Sequence, residues 1–277
     1  MSNTEKTIVR KQMRNDLILI VGVALILRLF LLLNNLSLPI KYYVDPDAYD
    51  YEIAAHNLLQ GHGFSGDLEP PYSPDVFRTP TYPIFISGIY AISGNSEAVV
   101  IFIQLIFGSV IAGLLYSLLL FLGFSRQKGI IAGLLFAADP LTILNANLLM
   151  SETLFSFLIV AALFVLFAYW HSERMRWLLL ASFLFGIAAL ARPIGQFLPL
   201  VLLPLFLLAA KTGTAWKAFW RWGVLFLLSS ILIYSWAYRN YQVAENFTLS
   251  IVGDYNLAYY RGRAVLEEAE GLNCVKR

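Results

Sequence analysis

Apolar residues run along this chain in long unbroken stretches, unlike the alternation of a sheet strand or the one-sided stripe of a soluble helix. The first covers residues 17–33 and is interrupted only by Arg28. Six more follow, at approximately 98–122, 129–147, 153–170, 178–191, 194–210 and 222–238. Each comes near the roughly 20 residues that cross a bilayer, the two flanking Arg192-Pro193 being the shortest. The pattern predicts an all-α integral membrane protein with seven transmembrane helices. An eighth run, 82–92, is too short to span and is expected to lie on or in the outer leaflet as an amphipathic helix.

Basic residues fix the parity of this count. Lys6, Arg10, Lys11 and Arg14 precede the first run. Arg126 and Lys128, then Arg174 and Arg176, then Lys211, Lys217 and Arg221 lie between later runs. Only seven spans put all of them on the cytoplasmic side with the amino terminus. The first run could be a signal peptide, but residues 34–39 offer no small-x-small cleavage site, so it is read as an uncleaved span. The expected organisation is a cytoplasmic segment 1–16, a membrane module 17–238 containing an outer loop 34–97, and an extracytoplasmic remainder 239–277. No internal repeat is visible.

Composition agrees. Of 277 residues, 58% are hydrophobic and 14% charged, with a mean hydropathy of +0.66, against about 45–50% and 25% in soluble domains. A net charge of +2 without a long basic run excludes nucleic acid as a partner. The lone Cys274 permits no internal disulfide.

Candidate chemistry gathers on the outer side. The first outer loop holds Asp45, Asp47, Asp50, Glu52, Asp67, Glu69 and Asp75 against Lys41 and Arg78. So many carboxylates beside lipid phosphates imply that some have a purpose beyond solvation. The stretch from Asp47 to Leu59 reads as a helix with Asp47 as its N-cap, and capping is an alternative sole role for that residue. His56 and His62 could ligate a divalent metal together with an acid, but their spacing places them on different elements, and surface or hydrogen-bonding roles are preferred. Glu152 stands at the outer end of a span behind Ser151, where it either favours the helix N-terminus with Ser151 as cap or faces the same cavity as Asp47. Asp139-Pro140 predicts a kink within the third span, with Asp139 facing protein. Arg28 near the outer end of its span, Arg192 and Arg239 stand against the positive-inside rule; their convergence would suit an anion such as a lipid phosphate, snorkelling being the alternative.

The order of several motifs resembles a known family. Asp47-x-x-x-Tyr51, Leu58-Leu59-x-Gly61-His62-Gly63-Phe64-Ser65 and Phe77-Arg78-Thr79-Pro80-Thr81-Tyr82-Pro83 are followed by Ser151-Glu152-Thr153-Leu154-Phe155, Leu190-Ala191-Arg192-Pro193 and Trp236-Ala237-Tyr238-Arg239-Asn240-Tyr241. Together they are similar to bacterial GT-C glycosyltransferases of the dolichyl-phosphate-mannose-protein mannosyltransferase type, relatives of the aminoarabinose transferases.

The resemblance implies a seven-span module with juxtamembrane helices in the first outer loop and an active site at the outer face. It implies a polyprenyl-phosphate sugar as donor, a lipid, glycan or protein as acceptor, and no required cofactor or metal. Asp47 matches the family's first-loop Asp, which acts at the acceptor and would serve as general base in an inverting transfer. Glu152 matches the acid of the next outer loop. Tyr51, His62, Arg78, Arg192 and Arg239 join it as substrate-binding candidates, the last three arginines facing the leaving phosphate. A Glu-Lys pair of the aminoarabinose branch is replaced by Arg78-Thr79, and a Gly- and Asn-rich motif is only loosely kept from Gly253 to Gly262. Family members continue with further spans, so the chain is expected to be a fragment or a minimal form. The expected location is the cell (inner) membrane. A polyprenyl-lipid or small-molecule transporter, or an inactive relative, is the rival; the lack of repeats and of paired broken helices counts against transport.

Overall fold

The computed structural model describes residues 3–35, 46–208 and 214–262. Lys41, Asp45, Lys211 and Cys274 lie outside the described residues, as do parts of the outer loop and of the remainder after Arg239. All regular structure among the described residues is helical. Long apolar helices satisfy every backbone group internally, which is what a hydrocarbon surround demands.

The helices are α1 (Asn3–Asn35), α2 (Pro46–Gln60), α3 (Thr81–Ser93), α4 (Glu97–Phe121), α5 (Arg126–Ala138), α6 (Pro140–Ala146), α7 (Glu152–Ser172), α8 (Met175–Ala191), α9 (Leu198–Val201), α10 (Leu203–Leu208), α11 (Ala215–Ala244) and α12 (Val252–Asn256). A 3₁₀ turn, Pro193–Phe197, joins α8 to α9. Among the described residues four helices, α1, α4, α7 and α11, are long and apolar enough to cross a membrane; α5 and α6 together make a fifth candidate bent by 56°. The shorter apolar segments are α3, α8 and Pro193–Leu208.

The bend falls at the expected Asp139-Pro140. Pro140 cannot donate to the helix before it, and Asp139 restarts the chain by accepting a hydrogen bond from the Thr142 amide at 2.8 Å. The expected capping by Asp47 and Ser151 is corrected. α2 begins one residue earlier, because Pro46 has the fixed φ and missing donor that suit a first helical position; Asp47 therefore lies inside the first turn. Ser151 makes no capping bond. Its hydroxyl instead meets that of Tyr51 at 3.2 Å.

Helices pack as neighbours in the order α1 with α4 and α5, α4 with α7, α7 with α8, and α8 with α11. Small residues permit close approach: a Cβ on Gly186 would come within 2.7 Å of Leu232. Two ion pairs mark one end of the bundle. Asp16 accepts from Arg126 at 2.6 Å, and Glu173 holds Arg221 at 3.2 Å. The opposite end carries α2, α3 and the loop between them. Its core of Ala48, Tyr51, Tyr82, Ile86 and Tyr90 is continuous with Leu105, Leu149 and Ala191 of the bundle.

Arg28 does not reach that end. It is fully buried within the bundle, donating to the carbonyls of Ala24 at 3.1 Å and Ala137 at 3.3 Å and to the Thr142 hydroxyl at 3.3 Å. The expected meeting of Arg28 with Arg192 and Arg239 around one anion is therefore corrected: its guanidinium is held inside the bundle by acceptors on α1 and at the α5–α6 bend.

Candidate active site

α2 places Asp47, Asp50 and Tyr51 at helical spacings of three and four, so they share one face. Beneath that face lies Arg78, delivered by a turn that Asp75 builds: its carboxylate accepts the amides of Phe77 at 2.6 Å and Arg78 at 3.3 Å. The Arg78 guanidinium binds both α2 carboxylates, reaching Asp47 through Nη2 and Asp50 through Nη2 at 2.9 Å and Nε at 3.3 Å. It lies between two rings, 4.9 Å from the centroid of Tyr51 and 4.8 Å from that of Phe77. Arg78 is only 6% exposed, whereas the two carboxylates are 40% and 41% exposed. The buried cation thus fixes two acids that are themselves partly exposed to solvent.

Burial works against the Arg78 charge, but the hydrogen bonds it donates to Asp47 and Asp50 outweigh that cost and raise the guanidinium pKa. Burial also raises the Asp75 carboxyl above the ordinary carboxylate range, despite its two amide donors, and raises the Tyr51 phenol.

A cavity of about 430 Å³ opens beside this group. Asp47, Tyr51 and Arg78 form one wall; Arg192 and Gln196 form a second; Thr248, Ser250 and Asn256 close a third. Arg192 arrives there because α8 stops at Ala191 and the residue before Pro193 must be extended. Its guanidinium pairs with Glu152, the first residue of α7. Thr79 and Thr81 tie the Arg78 loop to this corner, donating to the carbonyls of Ala191 at 3.0 Å and Ile187 at 3.1 Å. The remaining Glu152 oxygen is buried without a hydrogen bond and faces a small hollow shared with Arg28, Thr153 and Ser156.

Of the residues singled out from sequence, Asp47, Tyr51, Arg78 and Arg192 line one cavity, and Glu152 touches it through Arg192. Arg239 and His62 do not line it. Arg239 clamps the loop from behind, donating to the carbonyls of Phe64 at 3.3 Å and Asp75, with its charge 4.8 Å over the Trp236 ring. His62 stacks on Tyr72 with ring centroids 3.9 Å apart. His56 sits against the Tyr90 ring at 5.1 Å and 3.8 Å from Glu52, apart from His62. No group of three or more His, Cys, Asp or Glu side chains among the described residues could hold a metal ion.

Sequence reasoning missed the third wall. Asn240 accounts for it, since its amide donates to the carbonyls of Thr248 at 2.8 Å and Leu249 at 3.3 Å, folding the chain back after α11. Ile251 then donates to the Val76 carbonyl at 3.2 Å and Ser250 to that of Phe77. Gly253 and Asn256 of the loosely kept motif line the cavity, which was the available signal.

Comparison with known proteins gives one family. The family model described as dolichyl-phosphate-mannose-protein mannosyltransferase matches residues 77–238, more than half of the chain. Arg78, Glu152 and Arg192 fall within the match; Asp47 and Tyr51 precede it and Arg239 follows directly. No curated protein matches the chain.

Proposed function

The chain belongs to the dolichyl-phosphate-mannose-protein mannosyltransferase family, and from that premise we propose that it is a membrane glycosyltransferase moving a sugar from a polyprenyl-phosphate carrier to an extracytoplasmic acceptor, with Asp47 as general base. The observation that carries this reading is the cavity in which a half-exposed carboxylate, Asp47, faces a cation, Arg192, across a space large enough for a sugar.

In the proposed reaction an acceptor hydroxyl loses its proton to Asp47 as its oxygen bonds to the anomeric carbon. The bond from that carbon to the carrier phosphate breaks, and the phosphate leaves with both electrons. Attack and departure on opposite faces invert the anomeric centre. Arg78 orients the base, and cations held in place by carboxylate partners need little reorganisation as charge develops. Arg192 stands where it can meet the leaving phosphate, with Glu152 holding it in place. Arg239 supports the loop that delivers Arg78 and so acts as a positioning residue.

The membrane arrangement is part of the proposal. Seven passes follow if α1, α4, the α5–α6 pair, α7, α8, Pro193–Leu208 and α11 each cross once. Arg126, Lys128, Arg174, Arg176, Lys217 and Arg221 then share one side, which the positive-inside rule makes cytoplasmic, with the cavity outside.

Replacing Asp47 by Asn tests the base. Asn keeps the size and one acceptor for Arg78 but cannot take a proton at neutral pH. With the protein in liposomes and a panel of polyprenyl-phosphate hexoses and pentoses as donors, release of polyprenyl phosphate should fall by about 10²–10⁴, the usual contribution of general-base catalysis, while carrier retention stays unchanged. Near-normal release by Asp47→Asn would remove Asp47 from the role.

A further inference from the structure

A second hollow lies at the other end of the bundle and shares no residue with the acidic cavity. It measures about 620 Å³. Part of its lining is apolar, formed by Phe121, Phe167, Trp170 and Phe206, with Trp170 packed edge-on against Phe206 at 5.4 Å. Its mouth is charged, carrying Lys217 and Arg221 of α11 and Glu173 at the end of α7. An apolar interior with a cationic rim is complementary to an anionic amphiphile.

Two further features point to an occupant. Tyr169 lines the hollow, and its hydroxyl makes no hydrogen bond among the described residues while keeping contact with the open space; a phenol so placed is free to donate to a ligand. Arg221 sits 5.8 Å from the Tyr169 ring and pairs with Glu173, while Lys217 has no partner among the described residues. One hydroxyl donor and two cations thus converge on one opening. On the outward side of the same helix, Trp216 and Trp220 are 66% and 59% exposed, and exposed tryptophans at a span end mark the headgroup level of the bilayer.

We propose that this hollow binds the headgroup of an anionic phospholipid, its phosphate held by Lys217, Arg221 and the Tyr169 hydroxyl and its acyl chain lying on the Phe121–Phe206 wall. The inference rests on the helices spanning a bilayer and is independent of the transferase reaction. Glu173 acts as a competitor for Arg221, so the site tightens when that carboxylate is neutralised.

Native mass spectrometry of the full chain, offered equimolar phosphatidylglycerol and phosphatidylcholine with the same acyl chains, tests this. Phosphatidylglycerol should be retained preferentially. Lys217→Gln and Arg221→Gln should each lower its retention about fivefold, the factor a cation contributes near an anionic lipid surface. Tyr169→Phe, which keeps the packed ring, should also lower it, and Glu173→Gln should raise it. Equal retention of the two lipids, or retention indifferent to Lys217→Gln, Arg221→Gln and Glu173→Gln, would overturn the proposal. Displacement of phosphatidylglycerol by millimolar inorganic phosphate would overturn the lipid assignment in favour of a soluble phosphate.

Discussion

Arg78 shows how one side chain organises a site. A guanidinium with five donors can satisfy two carboxylates at once, and here it also fills the space between Tyr51 and Phe77. A lysine would supply the charge without the fork or the stacking. The turn that presents Arg78 depends on Asp75, whose raised pKa gives a testable sign. A carboxyl whose folded pKa lies above its unfolded value contributes stability that is present below the unfolded value, near 4, and is lost as pH rises through the folded one. Asp75→Asn stays neutral at every pH. The melting temperature of Asp75→Asn relative to wild type should therefore climb as pH is raised from about 4 toward neutrality, and a pH-independent difference would show that burial of the charge is not costly there. Asp47, Glu152 and Arg192 were legible as residue types standing out of place beside a membrane. Thr248 and Ser250 were not, because an ordinary hydroxyl in a polar stretch carries no such contrast.

Among elements, the break after α8 matters most for the site. Ala191 ends the helix, Arg192 is extended, and the Pro193–Phe197 turn folds back against α8. Gly195 permits that return: a Cβ there would stand 2.8 Å from the Ala189 Cα and 3.1 Å from the Phe155 ring. Since the first contact is backbone, neither partner can step aside cheaply. Gly195→Ala should cost about 1–3 kcal/mol, the usual range for overpacking, and should shift Arg192 off Glu152. Gly223, in the interior of α11 with nothing within 4 Å of an added Cβ, is the control, where Ala should be neutral or stabilising by up to about 1 kcal/mol. Thermal unfolding of the two variants in detergent would decide; equal stability would mean the turn is not tightly packed. The Asp139-Pro140 bend and the helix from Thr81 were readable in advance, because proline chemistry and the length of an apolar run are local properties. The start of α2 at Pro46 and the use of Ser151 were misjudged by local rules, since Ser151 lies fully buried beneath Tyr51, where a tertiary partner outcompetes a cap.

The whole molecule is polarised, with acidic α2 and the Arg78 loop at one end and the basic segments at the other. Seven passes with the amino terminus inside make a labelling prediction. In a Cys274→Ser background, a membrane-impermeant thiol reagent applied to intact cells should modify a cysteine introduced at the exposed Asn246 and miss one at the exposed Gln127; the reverse pattern would invert the topology. The sequence by itself determined that the chain is helical and lipid-embedded, where the helices break, and which charged residues stand apart, because hydropathy, proline and charge act through a residue's own transfer energy and its near neighbours. Tertiary structure alone decided that Arg78 binds Asp47 and Asp50 and that Arg192 meets Glu152. It also decided that Arg28 stays within the bundle while Arg239 braces a loop, and that the stretch after α11 closes the cavity. Those outcomes depend on which distant segments meet, and a guanidinium of given sequence position serves equally well as ligand, buried donor or clamp until packing supplies its partner.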